Sequence, residues 1–362
     1  MGVVEEAEKA EAQARRGDFP EFASLTVDEL LTEPPPQRAL LTYVRRAEWA
    51  KTESERKPPQ VWLPRGVVAI LAAAGGTGKS QLCLQLAVAV ATGGHWCGLW
   101  SAPEAGPVCL VAGEDTVQDI RARLYALKLT QAEAVAVAER VHIMPTSGVD
   151  ARWTDEHGAA MPAFAALKER IAEKAPALVI LDPGSRFFGP EVETDNGQAT
   201  AWIRQAEELQ RLASCPTVLV AMHTRKESSG AKRGGALEQS AVRGSSALVD
   251  GARWVATLKR LSERGSPVDL MRLERVKVNN CPPDDGARAL ERVEGGRIRD
   301  MLPGSWAQWK EWQGTENGDD DELTEASAFN EHEAFEIAKR EGRAHEYAAA
   351  RDAAERKAKR RG

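Results

Sequence analysis

The sequence predicts an α/β fold in which a mainly parallel sheet carries helices on both faces. The first observation is length, because 362 residues suffice for one large domain with extensions. The second is that short apolar runs alternate with helical segments between residues 62 and 254. The third is that these runs are apolar almost throughout, which is typical of strands buried on both faces. The expected strands span residues 67–71, 108–112, 141–144, 178–181 and 217–222.

Helices are expected between these strands, at about residues 79–92, 116–128, 161–174 and 197–214. The first of them places its apolar residues mostly on one side and ends at Gly93-Gly94, because glycine readily adopts the left-handed conformation that terminates a helix. Two further strands, at residues 254–261 and 268–278, are expected to extend the sheet in antiparallel fashion on its C-terminal side.

Composition divides the chain into three parts. Residues 1–60 are charged and rich in proline, with one amphipathic piece around residues 39–44, and we expect an arm that docks on the core or on a neighbouring molecule. A disordered leader is the alternative. Residues 61–312 form the predicted α/β domain. Residues 313–362 form a charged tail, helical or disordered, that is either solvated or in contact with a partner or DNA.

Bulk properties narrow the class of protein. The formal net charge is −6, so any contact with nucleic acid requires a local basic patch. The five cysteines lie far apart without a CxxC pair, which favours reduced core residues in a cytoplasmic protein. No apolar stretch reaches membrane-spanning length and the N-terminus lacks the pattern of a signal peptide, so we expect no membrane contact.

A phosphate-binding loop follows the first predicted strand. Residues 72–80 read AAAGGTGKS, and Ala73 stands where the strict pattern has glycine. The glycines let backbone N–H groups turn toward phosphates, Lys79 supplies a positive charge for the β and γ phosphates, and Ser80 offers a hydroxyl to Mg²⁺. The loop therefore predicts ATP and Mg²⁺ as ligands. Its candidate binding residues are Ala74, Gly75, Gly76, Thr77, Gly78, Lys79 and Ser80.

Two carboxylates are candidates for the chemistry beside this loop. Asp182 ends an apolar run about 100 residues later, where it would hold Mg²⁺ together with Ser80, and a helix-capping aspartate is the alternative. Hydrolysis also needs a carboxylate that orients the attacking water, and Pro183 occupies the position where many such enzymes have a glutamate. Glu114, which follows another strand, is therefore the candidate base, with Asp115 as a helix cap. A purely structural acidic turn remains the alternative.

A histidine and a basic segment follow the last predicted parallel strand. His223 would hydrogen-bond the γ phosphate and relay its loss to the adjoining loop, and a structural histidine is the alternative. Residues 224–245 combine basic side chains with serine and glycine, which suits contact with a phosphodiester backbone, and an ordinary solvated loop is the alternative. The candidate DNA-binding residues are Arg225, Lys226, Lys232 and Arg233.

These residues together resemble a known family. Over about residues 60–280 the chain is similar to the plasmid-type RepA hexameric replicative helicases of the RecA-like ATPase class. Besides the phosphate loop, Leu181-Asp182 and His223, the resemblance rests on three segments: Trp62-Leu63-Pro64-Arg65-Gly66; Gly113-Glu114-Asp115 followed by Ile120, Arg123 and Leu124; and residues 243–254, RGSSALVDGARW. The last segment is the most specific. The family often has two adjacent histidines where this chain has Met222-His223.

The resemblance implies a RecA-like P-loop NTPase fold and a homo-oligomeric ring, expected to be a hexamer, with ATP bound between subunits and single-stranded DNA in the central channel. It implies that Glu114 is the base and that Arg253 projects into the neighbour's site as an arginine finger, which would neutralise transition-state charge. Arg243 is the rival finger, and a structural, salt-bridged Arg253 is a further alternative. Replication partners would bind the N-terminal arm or the charged tail.

The sequence therefore predicts an ATP-dependent DNA helicase or translocase that acts in plasmid, phage or mobile-element replication. One alternative is a non-motor ATPase of the same fold, either a recombinase-like filament or a loader. Another is an ATP-gated regulatory scaffold in which hydrolysis serves as a timer. A small-molecule kinase is disfavoured, because the arginine-rich distal segment would then lack a purpose.

Overall fold

The computed structural model describes residues 24–34, 36–43, 57–224, 242–262, 269–279, 281–282 and 286–300. The chain divides into two compact units, Met1–Gln37 and Arg38–Gly362. The predicted charged tail lies outside the described residues.

The first unit contains, within its described residues, one short helix, α1 (Val27–Leu31). The Thr26 side chain accepts a hydrogen bond from the Glu29 backbone, and the Glu29 carboxylate accepts one from the Thr26 backbone, so the helix begins with a capping box. Its apolar side chains are exposed, among them Leu30 and Leu31. Local capping, rather than burial in a core, holds this helix.

The second unit has two sheets among its described residues. Its strands are β1 (Ala39–Tyr43), β2 (Gln60–Pro64), β3 (Val68–Ala73), β4 (His95–Trp96), β5 (Trp100–Ser101), β6 (Val108–Ala112), β7 (Val141–Pro145), β8 (Leu178–Asp182), β9 (Thr217–His223), β10 (Trp254–Arg260), β11 (Asp269–Val278), β12 (Arg288–Arg292) and β13 (Ile298–Asp300). Its helices are α2 (Lys79–Thr92), α3 (Val117–Ala126), α4 (Gln131–Arg140), α5 (Pro162–Glu173), α6 (Asn196–Gln210) and α7 (Ser246–Gly251).

The larger sheet has nine strands in the order β13-β12-β11-β10-β3-β9-β8-β6-β7. The run from β10 to β7 is parallel, and the pairs β10–β11, β11–β12 and β12–β13 are antiparallel. Alternate residues of β3 face different cores: Val68 and Ile70 pack on one side, and Ala69 and Leu71 on the other. This two-sided burial explains the continuous apolar runs and confirms the predicted α/β fold with a mainly parallel sheet.

One detail of the predicted sheet is wrong. The strand expected at residues 254–261 is not antiparallel, because β10 pairs in parallel with β3, with Trp254 opposite Ala69. The chain reaches β10 through α7, and a helical crossover returns it to the end of the sheet from which β3 also starts. The antiparallel extension begins only at β11.

The amphipathic piece around residues 39–44 is a strand, which the sequence analysis did not specify. β1 pairs with β2 and β5 in a smaller sheet of order β2-β1-β5-β4. The buried Trp62 of β2 has its ring centroid 4.3 Å from that of Trp100 and 5.0 Å from that of Trp254. These indole contacts pack the smaller sheet against the larger one, where β10 supplies Trp254.

Helix α2 differs from its prediction in burial. Its residues from Leu82 to Ala91 are buried all around the helix, not mostly on one side. The helix contacts β3, β6 and β8 of the large sheet on one side and β4 and α4 on others, so no face remains for solvent. Even Gln85 is buried, with its amide group bonded to the backbone N–H and C=O of Ile298. Gly93 ends the helix in the left-handed conformation, as predicted.

Helix α4 was not predicted, although its start carries a sequence signal. Thr130 and Glu133 form a reciprocal capping box at its N-terminus. The spacing of threonine and glutamate three residues apart is the known signature of such a start. Alanine-rich composition with one buried residue, Val137, gives the helix only a weak apolar stripe.

Three of the five cysteines are core residues, as predicted: Cys83, Cys97 and Cys109 are buried. The prediction is wrong for Cys215, which is exposed, and for Cys281, which is half-buried, because both lie in connections outside the strands and helices. Among the described residues, no helix combines the length and the apolar character needed to cross a bilayer.

Candidate functional site

The phosphate loop lies between β3 and α2, at the carboxyl edge of the parallel strands. Gly76 and Gly78 have φ values of 73° and 116°, a region that only glycine adopts readily. The helix cap at Gly78 uses no side chain, so no side-chain cap occupies the first backbone N–H groups of α2, which are then available to an anion. The sequence thus builds an anion site from backbone groups.

Lys79 and Asp182 meet at this edge although they are far apart in the sequence. Lys79 Nζ lies 3.0 Å from Asp182 Oδ1, and the two side chains are only 7% and 8% exposed. Asp182 ends β8, which is separated from β3 by β9 alone. The capping alternative for Asp182 is wrong, because the short 3-10 turn Gly184–Phe187 begins after Pro183. Each ion depends on the other, since a buried charge without its partner is costly.

Glu114 follows β6 at the same edge of the sheet. Its Oε1 accepts a hydrogen bond from Arg186 Nε at 3.1 Å, and the Glu114 side chain is half exposed. Gly113 allows this arrangement, because a Cβ at that position would lie 2.6 Å from Arg186 Cγ. The sequence analysis did not identify Arg186, and no spacing in the sequence indicates it.

Asp115 does not cap a helix, so that prediction is wrong. Thr116 is the N-cap of α3 and forms a capping box with Asp119. Asp115 instead forms a two-point ion pair with Arg123, one arm of which joins Oδ1 and Nη2 at 2.9 Å. Arg123 belongs to α3, so this pair ties the acidic turn to the helix that follows it.

His223 lies directly beside the phosphate loop. Strands β3 and β9 are paired so that Ala73 stands opposite His223. Burial, reinforced by the positive charge of Lys79, lowers the pKa of His223. The ring is therefore neutral near pH 7 and offers one donor and one acceptor.

These groups surround a cavity of about 400 Å³ whose lining includes Lys79, Ser80, Glu114, Asp182 and His223. Residues 20–229, more than half of the chain, match the family described as AAA domain. The chain belongs to this family. AAA domains are P-loop ATPases, so the protein is a nucleoside triphosphate hydrolase.

The residues of this AAA domain fit a nucleotide and its magnesium ion. The cavity falls within the range of about 300–1,000 Å³ that ligand pockets occupy. The loop supplies backbone N–H groups and Lys79 for phosphates. The Ser80 hydroxyl and the Asp182 carboxylate line the same cavity and are oxygen ligands of the kind that Mg²⁺ prefers.

The antiparallel extension of the sheet, which lies beyond the residues matched to the AAA domain, also reaches the cavity, and sequence reasoning missed this. Arg292 at the end of β12 donates from Nη2 to the backbone oxygen of Thr77 in the phosphate loop, and Gly296 of the following turn lines the cavity. More than 200 residues separate Arg292 from the loop. Only the pairing of β10, β11 and β12 brings them together, so no local pattern could have indicated the contact.

The two candidate arginine fingers lie at opposite edges of the parallel strands. Arg253 precedes β10 and donates its backbone N–H to Val68 at the start of β3. Its side chain is exposed, and five residues of strand, about 16 Å at the usual rise, separate it from the loop of its own chain. Arg243 lies at the carboxyl edge, where Nη2 is 2.8 Å from Glu193 Oε2. The assignment of the finger stays a prediction.

The candidate DNA-binding residues Arg225, Lys226, Lys232 and Arg233 lie outside the described residues. The residues that flank this segment are described. Thr224 and Val242 form an antiparallel bridge, and the Arg243 backbone N–H donates to the His223 oxygen at 2.9 Å. Both ends of the basic segment are therefore attached to the strand end that carries His223.

Proposed function

We propose that this AAA-domain ATPase is a DNA translocase, a helicase of the RepA type that works as a homo-oligomeric ring on single-stranded DNA in plasmid, phage or mobile-element replication. The observation that carries the proposal is the junction at His223. One residue lines the nucleotide cavity, and the next residue begins the segment that contains the four candidate DNA-binding side chains.

The junction gives a physical route from nucleotide to DNA. Loss of the γ phosphate removes the group that faces His223. A shift of the His223 backbone then moves Arg243, whose backbone N–H donates to the His223 oxygen. The same shift moves the adjoining bridge between Thr224 and Val242. Thr224 and Val242, which flank the basic segment, then move together. A basic segment that is displaced once per hydrolysis event can carry a DNA backbone with it.

The chain's own residues have separate tasks in hydrolysis. Lys79 binds the β and γ phosphates, and Glu114, which lines the same cavity, orients the attacking water. Arg186 holds Glu114 by its ion pair and so sets the position of the carboxylate. Ser80 and Asp182 would hold Mg²⁺, which would neutralise phosphate charge when bound.

A finger from the neighbouring subunit would complete the site. Arg253 is exposed at the amino edge of the parallel strands, away from the cavity of its own chain. That placement supports a role in the site of an adjacent subunit, because a guanidinium supplied in trans makes hydrolysis depend on assembly.

The proposal is tested by measuring ATP turnover with and without single-stranded DNA, beside the mass from light scattering. A closed oligomer whose turnover DNA stimulates supports the motor. Replacement of all four basic residues, Arg225, Lys226, Lys232 and Arg233, by alanine is then expected to weaken DNA binding and flatten its salt dependence, because fewer counterions are released.

Other outcomes of this experiment would favour other functions for the protein. DNA-independent turnover would contradict the motor and favour the regulatory scaffold. Open assemblies of growing mass would instead favour a recombinase-like filament or a loader, because subunits that do not close a ring polymerise.

A further inference from the structure

One positively charged side chain of the nucleotide cavity, that of Arg292, belongs to a strand outside the parallel part of the sheet. Arg292 stands at the end of β12, three strands away from β3, and its guanidinium touches the phosphate loop. Nη2 donates to the Thr77 backbone oxygen. A Cβ added to Gly78 would collide with the same Nη2 atom, so the guanidinium packs directly on the loop backbone.

The contact determines the direction of a peptide group. In a trans peptide the C=O of one residue and the N–H of the next point in opposite directions. The bond between Thr77 and Gly78 is trans. Because Arg292 holds the Thr77 oxygen, it also fixes the Gly78 N–H of the same peptide, which points the opposite way. Gly78 lines the nucleotide cavity, and Thr77 is not among the residues that line it.

A charged donor makes this orientation firm. Hydrogen bonds that involve an ion are shorter and roughly twice as strong as neutral ones. Polarisation of the peptide by the guanidinium also makes its N–H a better donor to an anion. Arg292 adds its positive charge to a cavity wall that also includes Lys79 and Arg123.

A carboxylate on the antiparallel extension forms an ion pair with Arg292. Asp269 Oδ2 lies 3.5 Å from Arg292 Nε. The other oxygen of Asp269 accepts hydrogen bonds from Arg260 Nε at 2.7 Å and from Ser262 Oγ at 3.0 Å. The position of the guanidinium therefore depends on three antiparallel-paired strands, β10, β11 and β12.

We propose that Arg292 is a positioning residue for phosphate recognition, which aims the Gly78 N–H at the bound nucleotide and couples the antiparallel extension to the phosphate loop. The proposal rests on nucleotide binding at this loop and not on DNA translocation. A positioning role differs from a general stabilising role, because substitution of Arg292 should then lower the affinity for phosphate groups and not only the stability of the fold.

The test is calorimetric binding of ADP to the full chain, with Arg299→Ala as the matched control. Arg299 also belongs to the extension and forms an ion pair with Glu291 at 2.9 Å, but it does not line the nucleotide cavity. Arg292→Ala is expected to weaken ADP binding by about 10-fold or more, the usual effect of losing one hydrogen bond to a charged group, here that of the Gly78 N–H to a phosphate. Arg299→Ala should bind ADP as the wild type does.

Two further measurements keep the result interpretable. Arg292→Lys keeps a cationic donor and is expected to recover part of the lost affinity, which also decides the matter if Arg292→Ala does not fold. In steady-state assays, Arg292→Ala should raise KM for ATP more than it lowers kcat, because the bond acts on the ground state and the transition state alike.

Three outcomes would overturn the proposal. The first is wild-type ADP affinity in Arg292→Ala while Lys79→Ala loses binding. The second is an equal loss in Arg292→Ala and Arg299→Ala, which would assign both arginines to folding. The third is unchanged ADP binding in Lys79→Ala, which would remove the loop itself from nucleotide recognition. A failure of DNA stimulation, in contrast, affects only the proposed motor.

Discussion

The two edges of the parallel strands use polar side chains differently. At the amino edge two side chains donate to backbone oxygens: Arg65 to Ser214 at 2.9 Å, and Thr217 to Pro64 at 2.8 Å. The ion pair of Arg65 with Glu104 at this edge is longer, 3.5 Å, and the Glu104 side chain is mostly exposed. At the carboxyl edge the charged side chains form closer pairs with each other, of which Lys79 with Asp182 is the most buried example. The pairs of Glu114 with Arg186, Asp115 with Arg123 and Glu193 with Arg243 lie on the same side.

This difference suggests that the amino edge is structural and that the carboxyl edge is functional. A side chain that bonds to a backbone oxygen replaces a missing ladder partner and has no reason to leave it. An ion pair can exchange one partner for another, and a phosphate group with its metal offers both signs of charge. The carboxyl edge is therefore the edge at which binding can rearrange contacts.

The largest expected effect is that of Lys79→Ala. Loss of the only loop lysine removes the positive charge for the β and γ phosphates, so ATP turnover should fall to background. Thr217→Val at the amino edge is the matched control: it removes one hydrogen bond, costs about 1 kcal/mol of stability and should leave turnover intact. Normal ATP turnover in Lys79→Ala would contradict the assignment of the phosphate loop as the nucleotide site.

Glu114→Gln should slow hydrolysis by about 100-fold or more while ATP binding stays close to that of the wild type. The amide keeps the shape of the side chain but cannot accept a proton from water. Single-turnover hydrolysis and equilibrium binding measure the two properties separately. If turnover equals that of the wild type, the base lies elsewhere on this edge.

Arg253 tests whether the amino edge serves a neighbouring subunit. Arg253→Ala and Lys79→Ala subunits should each be inactive alone, and mixing them should restore part of the ATPase activity, because some interfaces then join an intact Lys79 to an intact Arg253. A finger acting within its own chain does not permit this rescue.

The mixing experiment needs proof that subunits exchange, for which labelled subunits and light scattering suffice. Arg243→Ala mixed with Lys79→Ala is the matched comparison. If only that mixture recovers activity, the finger is Arg243, and its ion pair with Glu193 must open for it to act.

The smallest effect is expected for the contribution of His223 to the pH dependence of stability. Because burial and the Lys79 charge lower its pKa, the unfolded chain binds a proton more readily than the folded one below about pH 6.5. The free energy of unfolding should therefore fall as the pH drops below that value and level off above it. His223→Asn should reduce this fall, as measured by urea unfolding at several pH values without nucleotide.

Two other histidines calibrate the pH experiment. Burial also lowers the pKa of His142, so some pH dependence should remain in His223→Asn. His157 is exposed, and His157→Asn is the control for loss of a surface imidazole. Equal pH dependence in the wild type and His223→Asn would show that the ring is not held neutral by the fold.

The features that could be predicted depend on short-range patterns in the sequence. The phosphate loop is a contiguous motif, and the strands it joins are continuous apolar runs, so β3, β6, β8 and β9 were predicted to within two residues. The polar residues that end these strands share one edge of a parallel sheet, which brought Lys79, Asp182 and His223 together as expected. Glu114 also lines the cavity.

The errors arise where the partner lies far along the chain. The direction of β10 depends on the crossover through α7, and the burial of α2 on all sides depends on β4 and α4, which cover it. In both cases a tertiary contact overrode a reasonable local preference. The error at Asp115 is local instead: the adjacent Thr116 caps α3, and Asp115 pairs with Arg123 eight residues later.

By itself the sequence determined the fold class, the phosphate loop and the set of strand-end residues, because periodicity, glycine conformation and the shared direction of parallel strands are local or repetitive properties. Only the tertiary structure decided which charges pair, that Arg186 holds Glu114, and that Arg292 reaches the loop from β12. Those contacts depend on strand order and register, which no stretch of the sequence specifies alone.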